Sequence, residues 1–173
     1  MNRSAGVSMS LTRSTEEQSD FSSLKQVEEL VDGFETTRLP QDQWNHRAHL
    51  TVAAWYATRY PLAEAKERMT EAIQRYNLVH DIRQTEMGGY NETMTIFWLT
   101  AVSVELRQSE LPDLLHRING LVARFAQRQD LLFQFYDRHR IFSDLAHHYW
   151  VPPDRLPKGD LLDLSEALAA ISA

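Results

Sequence analysis

The chain has 173 residues, enough for one domain, and 43% of them are hydrophobic, so a sizeable core can form. A formal net charge of −6, with lysine and arginine scattered, leaves no basic footprint for nucleic acid. Cysteine is absent, which excludes disulfides, zinc–thiolate sites and thiol catalysis, and no apolar run approaches the ~18 residues that span a bilayer.

Residues 1–18 are rich in serine and threonine and lack the continuous apolar stretch of a secretory signal. They read as a disordered tail, with Met9 as an alternative start, and 19–173 as a single helical domain. A cytoplasmic location is the natural expectation.

Phe21, Leu24, Val27, Leu30, Val31 and Phe34 recur at spacings of three and four and predict an amphipathic helix. Leu39-Pro40 ends it. Asp42 or Asn45 then caps a second helix from His46, with Leu50, Ala53, Ala54 and Ala57 facing inward. Tyr60-Pro61 breaks that helix, because the residue before proline is pushed out of the α region. The next, with Leu62, Ala65, Met69, Ala72, Ile73 and Tyr76 on one side, carries Glu64–Arg68 and Glu71–Arg75 on the other. It is an outer helix.

Residues 77–90 read as a polar loop ending in Gly88-Gly89. The run from Met94 to Leu106 is apolar nearly all round, which predicts the central helix. Leu111-Pro112-Asp113 opens a helix with Leu114, Leu115, Ile118, Leu121, Val122 and Phe125. A further helix is expected through Leu131, Leu132, Phe135 and Tyr136, and a short one after Ser143 that Pro152-Pro153 stops. The stretch from Leu161 to Ile171 reads as a short helix or a strap on the body. Alternation of period two is never sustained, so the fold class is all-α, a single compact bundle of roughly six to eight helices.

Two segments carry chemistry. His46 and His49, three positions apart, lie about 60° apart around one helix and one turn along it. They share the face of Leu50, Ala53 and Ala57, and the positive helix end favours their neutral form, which binds metal or accepts a proton. The second segment is Gly88-Gly89-Tyr90-Asn91-Glu92-Thr93. Asn91 is a good N-cap for the central helix, and Glu92 suits the dipole of its first turn. His46, His49 and Glu92 together would give two nitrogens and one oxygen for Zn²⁺ or Fe²⁺, or an acid–base set without metal. Arg47, Tyr90 and Asn91 would orient a polar substrate at the rim. In the plainer alternative both histidines hydrogen-bond structurally and Asn91-Glu92 only cap a helix.

The other histidines carry less. His80 suits a helix end, His116 and His139 stand among charges, and adjacent His147 and His148 cannot face one point, which leaves one of them to reach the core with Tyr149 or Trp150. The aromatic group Phe133, Phe135, Tyr136, Phe142, Tyr149 and Trp150 reads as core. No phosphate loop, Gly-x-Ser-x-Gly elbow, His-Glu-x-x-His or dinucleotide fingerprint occurs.

His46-Arg47-Ala48-His49-Leu50, a polar loop, and Gly88-Gly89-Tyr90-Asn91-Glu92-Thr93 at a helix start together resemble an uncharacterised family of small bacterial helical proteins. The resemblance covers most of 24–157. It includes Phe34-Glu35, Leu39-Pro40 before Trp44, the Tyr136 region, Ser143, Trp150-Val151-Pro152-Pro153-Asp154 and Leu156-Pro157. It implies an all-helical fold and a shared site at the paired segments, and no particular activity. This chain departs from the pattern at Asn91, where the family carries histidine; asparagine oxygen is a poorer ligand for zinc or iron.

The expectation is therefore a small-molecule enzyme or ligand-binding protein with a pocket between the helices starting near His46 and Asn91. The alternative is a non-catalytic helical module that self-associates, as a homodimer for instance, with the histidines structural.

Overall fold

The computed structural model describes residues 20–156 and 161–172, all of them helix, turn or irregular chain with no strand. The tail assigned to 1–18, and Pro157, lie outside the described residues. Six helices of three turns or more form the body: α1 (Leu24–Glu35), α2 (His46–Arg59), α3 (Leu62–Val79), α4 (Glu92–Gln108), α5 (Leu114–Phe125) and, at the end, α9 (Leu161–Ser172). Between α5 and α9 lie three one-turn helices, α6 (Leu132–Phe135), α7 (Arg138–Ile141) and α8 (Asp144–His148). The fold is an all-α bundle, as the periodicity predicts.

Helix α4 is the central one, packing against α2, α3, α5, α8 and α9. Ile96, Phe97, Leu99, Ala101, Val102, Val104 and Leu106 are buried, on every side of its axis. The small Ala48, Ala53 and Ala54 let α2 lie close against it. Helix α3 is the outer helix expected: Ala65, Met69, Ala72, Ile73 and Tyr76 face in, and Arg68 pairs with Glu64 at 2.9 Å on its exposed side. Leu62, assigned to the inner face, is exposed instead.

Local signals set the boundaries. Thr37 adopts φ 59°, a left-handed conformation that turns the chain after α1. Tyr60 is extended before Pro61, which separates α2 from α3. The N-caps of α2, α4, α5 and α8 are Asn45, Asn91, Asp113 and Ser143, each accepting a backbone N–H near the helix start.

Two expectations need correction. The single helix through Leu131–Tyr136 is instead the end of a 3-10 turn (Gln129–Leu131) running into the one-turn α6, because Tyr136 is extended, and Asp137 then starts afresh as the cap of α7. The core positions survive, with Leu131, Leu132, Phe135, Tyr136 and Ile141 buried. Tyr149, by contrast, is 66% exposed: it ends α8 in extended conformation while its carbonyl, not its ring, binds Thr93. His147 takes the inward place.

Phe97 is fully buried between Trp98, Phe135 and Tyr136. Phe97→Ala is expected to cost about 3–5 kcal/mol in urea unfolding, the range for emptying an aromatic core position.

Candidate functional site

A cavity of about 270 Å³ lies where α2, α3 and α4 diverge. One wall is the start of α2, another the Met69–Ile73 stretch of α3, and the third the first two turns of α4 with Gly89 and Tyr90 before it. Its apolar lining comes from Trp44, Ala53, Met69, Ile73, Met94, Trp98 and Leu99. Asn45, His46, His49, Tyr90, Asn91 and Thr95 supply polar groups.

The two histidines share this cavity, each fixed by one ring nitrogen. Carbonyl oxygens only accept, so a ring nitrogen bonded to one must carry the proton. His49 donates from Nδ1 to the carbonyl of Asn45, 2.8 Å away, and stacks on Trp44 with ring centroids 3.7 Å apart. His46 donates from Nε2 to the carbonyl of Phe125 in α5 at 3.2 Å and meets Trp98 edge-on. In the neutral ring the proton on Nδ1 of His49 leaves a lone pair on Nε2, which has no hydrogen-bond partner among the described residues.

Burial keeps both rings neutral. Desolvation pulls the His49 pKa down to about 4, with the bond to Asn45 opposing and the nearby His46 assisting. His46 is lowered by the same cause, against the bond to Phe125. Neither imidazole brings a charge to the cavity at neutral pH.

Glu92 does not join them. It is not part of the cavity lining, and its carboxylate faces α3, with Oε1 2.8 Å from Nζ of Lys66. Its Oε2 accepts from the Tyr90 hydroxyl, which in turn accepts from Thr70 Oγ1 at 2.8 Å. A carboxylate with only 12% of its side chain exposed needs such partners, and Lys66 supplies the matching charge. Among the described residues no group of three or more His, Asp or Glu side chains is placed to hold a metal ion. The two-nitrogen, one-oxygen set is thus not assembled, because the first turn of α4 directs Glu92 to Lys66 rather than across to α2.

The rim residues divide in the same way. Tyr90 lines the cavity, its phenol pushed above the ordinary range by burial and by the Glu92 carboxylate. Asn91 also lines it, but both ends of its amide are engaged: Oδ1 accepts from Met94 N at 2.9 Å, and Nδ2 donates to the Ile141 carbonyl at 2.8 Å. Arg47 is absent from the lining and lies over the Phe21 ring, 4.9 Å from its centroid.

His147 is the participant that sequence reasoning missed. It is buried, with Nε2 3.1 Å from the carbonyl of Glu86 and Nδ1 between the Tyr90 carbonyl at 2.9 Å and Gln84 Nε2 at 2.6 Å, so it clasps the loop leading into α4. Gln84 completes the clasp: its Oε1 accepts from Tyr90 N at 3.0 Å and its Nε2 donates to the Gly88 carbonyl at 3.1 Å. Gly89 is obligatory there, at φ +89°, where a Cβ would come within 2.6 Å of Gln84 Oε1. The glycine pair signalled a special loop; nothing in the sequence near His147 pointed to it.

No family model, no curated protein and no solved structure matches this chain. The geometry of the site therefore carries the functional reading.

A histidine whose folded pKa is depressed stabilises the fold above its unfolded value of about 6.5 and loses that contribution as pH falls toward the folded value. For His49, at about 4, stability should fall by roughly 2–3 kcal/mol between pH 7.5 and 4.5. Urea unfolding at the two pH values measures this. The drop should shrink in His49→Gln, and an equal drop in the variant would remove His49 as the cause.

Proposed function

We propose that this protein is a small-molecule enzyme or ligand-binding protein whose site is the cavity between α2, α3 and α4. Its ligand is small and uncharged, largely apolar, and carries one O–H or N–H donor. The observation that carries this reading is the unpartnered Nε2 of a neutral, immobilised His49 in a cavity walled mainly by aromatic and aliphatic side chains. A few placed polar groups in an apolar concavity are what small-ligand sites have in common, and 270 Å³ lies just below the usual range of about 300–1,000 Å³, which suits a small ligand.

Binding is favoured over catalysis by magnitude. A general base works best with a pKa near the working pH, and a group at about 4 is a weak proton acceptor at pH 7. It remains a good hydrogen-bond acceptor. Recognition of a donor is therefore the primary role of His49, and proton abstraction would require the bound ligand to raise its basicity. His46 fixes the wall beside Trp98, and Tyr90, held by Glu92 and Lys66, shapes the opposite side. Iron or zinc would have only the two imidazoles, since Glu92 is engaged elsewhere. Among the described residues no helix is long and apolar enough to cross a membrane. Kinship with the bacterial helical family that shares the paired segments belongs to the same proposal.

Phenol and toluene make a direct comparison, since they differ by one donor. In NMR titrations phenol should shift the Trp44, Trp98 and His49 signals saturably and bind more tightly than toluene. His49→Phe should cut phenol affinity by about five- to tenfold, the scale of one hydrogen bond, and leave toluene unaffected. Equal phenol binding by both proteins would overturn the acceptor role.

Self-association is the second reading, favoured by Leu78 and Val79 at the end of α3, which are 82% and 59% exposed. A dimer formed there should dissociate in Leu78→Glu, and sedimentation equilibrium would show it. An unchanged mass with concentration in the wild type removes this reading.

A further inference from the structure

At the opposite end of α4 a second cavity, of about 300 Å³, lies between the α2–α3 corner and the last turns of α4, with Arg117 of α5 in its wall. Its lining contains two charged residues, Arg107 and Arg117, and no carboxylate. Acids outnumber bases 24 to 18 in this chain, yet neither arginine has an ion-pair partner among the described residues. Arg124, by contrast, takes Glu105, and Arg68 takes Glu64. Arg117 gives Nη2 to the Leu106 carbonyl, while its Nε is buried with no partner. The guanidinium is short of acceptors.

The remaining polar groups narrow the chemistry. Ser103 donates its hydroxyl hydrogen to the Leu99 carbonyl and Thr58 to that of Trp55, so both offer only lone pairs to the cavity. Donor capacity there comes from the Tyr60 hydroxyl and the two guanidinium groups, and only the guanidinium groups carry charge and planar forks that match oxyanions. Two full positive charges outweigh the partial negative charge of the α4 C-terminus, roughly half a unit. The space exceeds what a bare ion needs and lies at the lower bound for small-molecule pockets.

We propose that this cavity binds a small organic anion, its carboxylate or phosphate group held between Arg107 and Arg117. The site is separate from the histidine cavity and does not depend on the function proposed for it.

Inorganic phosphate and succinate, added at constant ionic strength against a chloride reference, distinguish the two anion types by NMR. One or both should shift the amides of 57–60, 62 and 103–107 and the two guanidinium signals saturably. Arg107 is exposed, so Arg107→Gln should keep the wild-type unfolding temperature while weakening the bound anion about tenfold. Arg117→Lys keeps the charge but not the fork and should weaken it less than Arg107→Gln. Absence of saturable shifts with both anions, or equal affinity in Arg107→Gln and wild type, would overturn the site.

Discussion

A helix buried on all sides cannot leave its first backbone N–H groups to water, and α4 is such a helix. The answer is a polar knot around residues 90–93. Asn91 caps the helix and also holds the Ile141 carbonyl; Thr93 accepts from Val151 N at 3.0 Å and donates to the Tyr149 carbonyl at 2.8 Å. His147 binds the carbonyl of Tyr90 just before it. The whole run from α7 to Val151 is thus stitched to the start of α4 by hydrogen bonds that an unpaired buried backbone would otherwise lack. The short helices there add Ile141 and Ala146 to the core, as does Val151 after them, and this knot fixes their register against α4.

The knot also places the cavity. With the start of α4 fixed against α7 and α8, Tyr90 and Glu92 are directed toward α3, and the space left opposite falls to α2. Helix α2 opens at Asn45, whose backbone carbonyl fixes His49 while its side chain caps the helix. One residue thus starts the helix and sets the tautomer of the imidazole. The other imidazole is fixed from 79 residues away, by the Phe125 carbonyl at the end of α5. Both rings are set by groups that accept only, which leaves the cavity polar without charge.

What was legible in the sequence was local. Spacing of three and four marked α1, α3 and α5, all-round apolarity marked α4, and Tyr60-Pro61 divided α2 from α3. Cap chemistry placed Asn91 and left Asn45 beside Asp42. His46 and His49 were legible as neighbours because one helix turn joins them. The fate of Glu92 was not: its direction depends on Lys66, on a different helix. His147 was hidden for the same reason, since its partners lie 57 and 61 residues upstream. The helical pattern through Tyr136 is overridden by tertiary contacts, as its hydroxyl binds the Val151 carbonyl from inside the core. Arg47 reads as a rim residue from its place beside His46, yet its neighbour turns out to be Phe21.

The chain has four tryptophans, and two of them wall the histidine cavity. Each of these indoles touches one imidazole, Trp44 face-on with His49 and Trp98 edge-on with His46. Occupancy of the cavity and protonation of either ring therefore both change the surroundings of a natural fluorophore. The fold has built its candidate site around its own optical reporters, which makes it observable in dilute solution without any label.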